Sequence, residues 1–321
     1  MTPRTDVYVH DLTFALGSLS STVEEAEREG RTLSSAALLR ESGFRRHFRA
    51  ADDESVLDLA LKAIDPIRAG LSDLDVILWA TCIPENASLQ GRESFAEHRD
   101  VKPLMDYPAS RLQAALGLPR AACLGVTQQA CTSMIGSLRL ARALLLSEPD
   151  TSRALCLTSD RFPEGAVYEQ AFALISDGAA ACVVSCEEKG FRLLSTHHIT
   201  NGAAVQASDE ETASVYFTYT HRLIHELLAK ARLPLDEVAW VVPQNMNVKA
   251  WQILSRLLRM DPERVFMEPL PEVGHCISGD NLINLKRLDD SGRLAPGDKV
   301  LCVMAGYGLN WQAALLEKVA S

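Results

Sequence analysis

Aromatic residues are scarce, at 6% of 321 residues, so Ala, Leu and Val must fill the interior. Positive charge is also short. With 32 Lys and Arg against 42 Asp and Glu, the formal net charge is −10. A general nucleic-acid binder needs a basic face and is excluded, although a local basic patch for acidic partners is not. None of the eight cysteines, at 82, 123, 131, 156, 182, 186, 276 and 302, forms a C-x-x-C pair. Cys182 and Cys186 are spaced i, i+4, but no paired histidines or cysteines complete a zinc set, and no metal is expected. In a chain this long with no signal peptide, the cysteines read as reduced thiols. No window reaches the ~18 consecutive apolar residues of a membrane span. Met1–Asp6 leads into a strand-like run without an apolar export segment. A soluble, cytoplasmic protein with no membrane or nucleic-acid partner is expected.

Hydrophobic residues at 47% and charged residues at 23% are the usual globular mix, and the length exceeds a typical single domain. Strand-like runs occur at Val7–Leu12, Asp75–Thr81, Ala121–Val126, Arg153–Asp160, Ala179–Ser185, Phe191–Thr196, Ala239–Pro243 and Val300–Ala305. Helical periodicity is expected over Thr22–Glu29, Ser55–Ala69, Ala109–Leu116, Val215–Ala231 and Val248–Leu258. This alternation predicts covered, largely parallel sheets. The polar segment Glu187–Gly190 divides the chain into halves 1–187 and 188–321, which can be one βα motif used twice. Cys82–Asp106 carries no clear period and reads as an excursion or lid.

The most informative stretch begins Gln128-Gln129-Ala130-Cys131-Thr132-Ser133. Apolar residues then recur at helical spacing through Met134, Ile135, Leu138, Ala141 and Leu145. Thr132 and Ser133 are suited to cap the helix by accepting an orphan backbone N–H. A cysteine there feels the positive end of the helix dipole, which favours thiolate. Upstream, Glu41-Ser42-Gly43-Phe44-Arg45-Arg46-His47-Phe48-Arg49 clusters basic groups, either as a solvated face or as a phosphate-binding rim. His197-His198 and His221…His225 read as surface or packed histidines. Ser159-Asp160 and Ser176-Asp177-Gly178 read as turn chemistry.

The Cys131 turn, Ser176-Asp177-Gly178-Ala179-Ala180-Ala181, Val242-Pro243-Gln244-Asn245-Met246-Asn247 and Ala305-Gly306-Tyr307-Gly308-Leu309-Asn310-Trp311 occur in a characteristic order. Together they resemble the thiolase-like superfamily, in its β-ketoacyl-ACP synthase III branch. The resemblance spans nearly the whole chain and is weakest over residues 82–106. It implies a five-layered αβαβα fold built from two similar halves, usually a homodimer. Its cysteine takes an acyl group from a CoA or acyl-carrier-protein thioester, and Cys131 matches that position.

Extending members of the family also use a histidine in a Pro-His-Gln-Ala-Asn-like motif and an asparagine in a Gly-Asn motif. These stabilise the enolate formed when malonyl thioester loses carbon dioxide. Here Gln244 stands at the histidine position and His275, in Gly274-His275-Cys276-Ile277-Ser278-Gly279-Asp280, at the asparagine position. An amide at 244 still donates a hydrogen bond but exchanges no proton near neutral pH. Five residues separate His275 from Asp280, so a loop that turns back lets the carboxylate orient the imidazole. Cys131, His275 and Asp280 then read as nucleophile, base and orienter. The pattern resembles natural-product acyltransferases that esterify an acceptor instead of extending a chain.

Gln244, Asn245, Gly306 and Gly308 are supporting candidates, with backbone N–H groups near Cys131 and Gly306 as an oxyanion hole. Arg45, Arg46 and Lys249 are candidates for the phosphates of CoA or phosphopantetheine. No permanently bound cofactor is expected; acyl-CoA or an acyl carrier protein is the donor, and a small molecule the acceptor. The leading expectation is an acyltransferase that loads Cys131 and passes the acyl group to an O-, N- or C-nucleophile. A decarboxylative condensing enzyme is the alternative. A non-catalytic subunit of a heterodimer is the third.

Overall fold

The computed structural model describes residues 5–89, 92–170, 173–206, 209–307 and 310–320. Nine strands form its main sheet: β1 (Tyr8–Leu16), β2 (Val76–Ala80), β3 (Ala122–Val126), β4 (Arg153–Asp160), β5 (Gly178–Ser185), β6 (Phe191–Thr200), β7 (Val238–Pro243), β8 (Lys299–Gly306) and β9 (Asn310–Lys318). Six helices cover it: α1 (Val56–Ile64), α2 (Pro108–Ala115), α3 (Ser133–Ser147), α4 (Asp209–Ala231), α5 (Val248–Leu258) and α6 (Asp280–Asp290).

The sheet order is β7-β8-β9-β6-β1-β5-β4-β2-β3. Read outward from the β1–β6 seam, the first five strands run 1-5-4-2-3. The last four repeat that order from β6, with β9, β8 and β7 in the places of β5, β4 and β2. A further strand beyond β7 survives only as the parallel bridge between Val241 and Val265. The expectation of largely parallel sheets needs correction. Only β2–β3, β2–β4 and β7–β8 pair in parallel, and β4–β5, β5–β1, β1–β6, β6–β9 and β8–β9 are antiparallel. For β8–β9 the connection from Gly306 to Asn310 is short enough to return a strand only antiparallel; the other four antiparallel pairs join strands that no short turn connects.

Both faces of the strands are apolar, and alternate residues enter different cores. In β4, Ala154 and Cys156 face a central core with Met134, Ile135 and Leu138 of α3 and Ile283 and Leu285 of α6. Leu155 and Leu157 face an outer core with Val56, Ala60 and Leu112 of α1 and α2. In β9, Ala314 and Leu316 join the central core, whereas Trp311, Ala313 and Leu315 pack under α4 and α5 against Leu223, Leu227, Trp251 and Leu254. The result is five layers, helices–sheet–helices–sheet–helices, with α3 and α6 buried between the two sheet halves.

Helix α6 carried no sequence signal because polar residues occupy its buried face. Asp280 and Asn284 are fully buried and Asn281 is 3% exposed. Asn281 Nδ2 donates to the carbonyls of Val242 at 2.9 Å and Val303 at 3.1 Å. Asn284 Nδ2 donates to Pro243 O at 3.0 Å. The Val242 and Pro243 carbonyls lie at the end of β7, where the asparagines give buried backbone groups a partner; Val303 O, within β8, also accepts from Gln244 N at 3.1 Å. The expected helix over 55–69 is α1 followed by a 3₁₀ turn at Asp65–Gly70, where Pro66 removes an N–H donor.

Candidate active site

Cys131 sits one turn ahead of α3, in the 3₁₀ turn Ala130–Thr132. The expected caps act differently. Thr132 Oγ1 donates to Gln129 O at 2.6 Å and accepts from Gln312 Nε2 at 3.0 Å, and Ser133 Oγ meets Ser278 Oγ at 2.9 Å. Neither hydroxyl is used on the helix's own amides. Both instead tie the cysteine turn to β9 and to the loop before α6.

That turn is strained. Among the described residues eight non-glycine residues have positive φ, and four of them surround Cys131: Gln128 (63°), Ala130 (47°), Ile277 (45°) and Tyr307 (46°). Such conformations cost on the order of 1–3 kcal/mol each and persist only where neighbours over-determine them. For the β-branched Ile277 the conformation is an outlier. Half of this strain therefore gathers at one place.

The loop 274–279 delivers His275. Gly274 caps the short helix Leu270–Val273 with φ 69°, and an added Cβ would lie 2.9 Å from Leu174 O. Only glycine fits there comfortably. His275 N then donates to Leu174 O at 2.8 Å and Ser176 N to His275 O at 2.9 Å, fixing the histidine backbone between the two halves. Asp280, expected on the same loop as His275, instead opens α6. Its Oδ2 accepts from His275 Nδ1 at 2.5 Å and from Asn245 N at 2.6 Å, and its Oδ1 from Cys276 N at 2.7 Å. With Nδ1 engaged, Nε2 is the ring nitrogen left to face Cys131, which lines the same cavity.

The electrostatics favour a separated charge pair. Burial alone pushes an imidazole down, but the Asp280 charge and hydrogen bond, with Cys131 beyond, hold His275 up at about 10. Cys131 is brought down to about 5, first by the hydrogen bond from Cys82, against burial, and then by the hydrogen bond and charge of His275. Both shifts favour thiolate beside imidazolium.

The sequence reading missed Cys82. Its Sγ lies 3.7 Å from Cys131 Sγ. It shares the proton with Cys131, so that hydrogen bond, and then burial, push its own thiol well up. Behind it Asp160, at the end of β4, accepts from Cys82 N at 3.0 Å, Ile83 N at 3.2 Å and Asn86 Nδ2 at 3.1 Å, and from Thr81 Oγ1. Burial pushes Asp160 up to about 6 against these donors. Asp160 thus shapes the site through the 82–86 turn instead of merely ending a strand. The only available signal was a second cysteine directly after a buried strand.

Cys82, Cys131 and His275 open into one cavity of about 350 Å³. Ile83, Phe162, Ile175 and Ile277 give it apolar walls, and Gln244, Ala305 and Tyr307 border its other side. Gln244 Oε1 accepts from Ala305 N at 2.5 Å, which leaves the amide N–H₂ as the free end of a side chain lining the cavity. Asn245 does not reach it. Fully buried, its Nδ2 donates to Gly274 O at 2.8 Å and its Oδ1 accepts from Asn284 at 2.8 Å, so it braces the histidine loop. Gly306 lies against the cysteine turn; a Cβ there would sit 2.9 Å from Ala130 Cβ and from Gln129 O and 3.1 Å from Cys131 N. Gly308 lies outside the described residues.

Arg45, Arg46 and Lys249 do not line the cavity. They share one surface region, because Val248 N donates to Ser42 O and Arg45 N to Pro271 O, both at 3.0 Å. Arg46 pairs with Glu272 at 3.6 Å and Lys249 with Glu41 at 3.4 Å. Both pairs are solvent-exposed and therefore weak. His197, read as a surface or packed histidine, bonds Glu226 at 2.7 Å, and His221 and His225 contact each other at 3.1 Å.

A Gly306→Ala substitution is expected to lower the rate of acyl loading by about 10²-fold, because displacement of a reacting group by ~1 Å costs that much. Far-UV circular dichroism should be unchanged. Retention of the wild-type loading rate would show that the contact with Cys131 is slack.

The region around Cys131 matches a family model. Residues 127–202 match 3-oxoacyl-[acyl-carrier-protein] synthase III, and residues 228–318 match the C-terminal model of the same enzyme. The β-ketoacyl-[acyl-carrier-protein] synthase III of Rhizorhabdus wittichii is 24% identical over 307 residues, covering 87% of this chain and 89% of that protein. Among solved structures, ChlB3, described as an acyltransferase, superposes with a TM-score of 0.82 at 20% identity and 98% coverage of both chains. The synthase III of Thermus thermophilus gives a TM-score of 0.81 at 21% identity, covering 99% of this chain and all of that one.

The fold is therefore that of the thiolase-like class. Within it, the chain belongs to the β-ketoacyl-ACP synthase III-like family of condensing enzymes. No described helix is long and apolar enough to cross a membrane.

Proposed function

We propose that this protein is an acyltransferase that loads Cys131 from an acyl thioester and passes the acyl group to a small-molecule O-, N- or C-nucleophile. The observation that carries this reading is His275, held by Asp280, opening into the same cavity as Cys131, with Gln244 where an extending enzyme would have its histidine. The Cys131 thiolate attacks the thioester carbonyl, and the carbon–sulfur bond to the donor breaks. The departing thiolate takes the proton of the His275 imidazolium. Once the thiolate charge is gone, the neutral Nε2, oriented by Asp280, accepts the proton of the acceptor as it attacks the acyl-cysteine. Thiolate leaves and the charge pair re-forms. Backbone N–H groups at Cys131 and Gly306 and the Gln244 amide are the donors proposed for the oxyanion, each worth ~3–4 kcal/mol in comparable sites.

Arg45, Arg46 and Lys249 are proposed to meet the phosphates of CoA or a phosphopantetheine arm. Homodimerisation is proposed through β3, an edge strand with Leu124 38% exposed. Against decarboxylative condensation stands the occupation of His275 by Cys131 and Asp280, which leaves Gln244 as one neutral donor where an enolate needs two. Incubation with radiolabelled malonyl thioester separates the readings. Malonyl transfer with carbon dioxide retained is expected; carbon dioxide release with a longer β-ketoacyl product would replace this proposal with the condensing one.

The charge pair also sets a pH dependence. A free thiol titrates near ~8.5, whereas Cys131 is held at about 5. Its alkylation by iodoacetamide should be at full rate at pH 7 and fall only as the thiolate protonates towards pH 5. In His275→Ala the midpoint should move upward. A wild-type midpoint above pH 8 would remove the thiolate–imidazolium pair.

A further inference from the structure

Cys82 forms no covalent bond in the acyl-transfer steps, yet beside its hydrogen bond to Cys131 it presents a second sulfur to the same cavity as the nucleophile. We propose that Cys82 and Cys131 form a reversible disulfide when peroxide enters the acyl cavity, so that the empty enzyme is switched off and its nucleophile protected. The inference concerns regulation of the same site and rests on Cys131 being its reactive thiol. It is scored without substrate, so it can fail or stand independently of which acceptor the enzyme uses.

The geometry carries it. The two sulfurs are 3.7 Å apart and both residues line the cavity. A disulfide needs ~2.05 Å, so from 3.7 Å the sulfurs must approach by about 1.6 Å. The backbone on each side is fixed: Asp160 accepts the amides of Cys82 and Ile83, and Thr132 and Gln312 anchor the cysteine turn. A fixed pair at this distance has a high effective concentration for bond formation. Among the other six cysteines, Cys156 and Cys182 face each other across β4 and β5, but both are fully buried away from the cavity.

The chemistry balances with peroxide as the only co-reactant. The Cys131 thiolate attacks one peroxide oxygen, the O–O bond breaks and hydroxide leaves, giving Cys131 sulfenic acid. Cys82 sulfur then attacks the sulfenyl sulfur, the S–O bond breaks, and the departing hydroxide takes the Cys82 proton as water. Two thiols and one hydrogen peroxide become one disulfide and two waters, and a dithiol reverses the change. Without Cys82 the sulfenic acid has no partner in the cavity and proceeds to the sulfinic state, which a dithiol does not reverse.

The test uses substrate-free enzyme and hydrogen peroxide, read by intact mass and a non-reducing peptide map. Wild type should become about 2 Da lighter, with residues 82 and 131 in one linked peptide, and dithiothreitol should restore mass and iodoacetamide labelling of Cys131. Cys82→Ser should show no linked peptide and gain about 32 Da on Cys131 that dithiothreitol does not remove. The wild-type map keeps the test decisive if that variant fails to fold, and Cys82→Ala serves as a second replacement. A wild-type protein that goes directly to the heavier species, or a link mapping to Cys156 and Cys182, overturns the proposal.

Discussion

A Cys131→Ala protein incubated with any acyl-CoA or acyl carrier protein is expected to show no acyl adduct by intact mass, and its transfer rate should fall to background. Of the side chains lining the cavity, Cys131 is the one held as a thiolate beside an imidazolium. The neighbouring Cys82 is pushed up by its hydrogen bond to Cys131 and by burial, which makes it the weaker nucleophile of the two. Nucleophilic attack scales with the thiolate present, so removing Cys131 removes the reaction. The loss should exceed 10⁴-fold, in keeping with other covalent catalysts whose nucleophile is deleted. The small replacement at a half-buried turn should leave the thermal transition close to that of wild type. An adduct that persists at wild-type level would reassign the nucleophile. A wild-type protein that is never acylated by any donor, and whose Cys131 is inert to iodoacetamide at pH 7, would instead favour a non-catalytic subunit.

The second large effect is expected at Asp280. In Asp280→Asn the amide still fills the buried space at the start of α6, but its charge is gone and one oxygen becomes an N–H₂. Three donors converge on that carboxylate: His275 Nδ1, Asn245 N and Cys276 N. An asparagine satisfies at most two of them with its single oxygen and turns a donor towards the third. The imidazole is then driven to the tautomer with its proton on Nε2, the atom that must accept one. A fall of about 10²–10⁴-fold in acyl transfer to the acceptor is expected, as when a general base is disabled. The Cys131 alkylation midpoint should also rise, because the imidazolium that stabilised the thiolate has lost its counter-charge. That second readout separates catalysis from simple unfolding. Full transfer activity with an unchanged midpoint would sink the orienting role. His275→Ala should match it in transfer rate and shift the midpoint further.

These expectations concern groups that the linear sequence exposes unevenly. Cys131 was legible because small polar residues followed by helical periodicity mark a helix entry whatever the fold. His275 and Asp280 were legible as a pair because five residues is short enough for local contact. Their environment was not. Asp280 reads as one more polar residue in a polar segment, and α6 was invisible, because Asn281 and Asn284 spend their amides on strand-end carbonyls that a sequence does not display. Asn245 looked like a cavity donor but faces backward, since its amide satisfies Gly274 O. Cys82 lies in the segment without periodicity and 49 positions from its partner, so only tertiary contact joins them.

Alternation of apolar runs and helical periods determined the layered α/β fold, since strands apolar on both faces must be covered on both faces. The Cys131 turn and the exchange of Gln244 and His275 likewise belong to the sequence. Strand direction was decided by the tertiary structure, because four of the five antiparallel pairs join strands that no short turn connects, and strand composition does not set direction. The fold alone also decided that a cysteine from the end of β2, a cysteine ahead of α3 and a histidine ahead of α6 share one cavity. Packing brings these remote segments within contact distance, and there shared protons and charges set the reactivity of each.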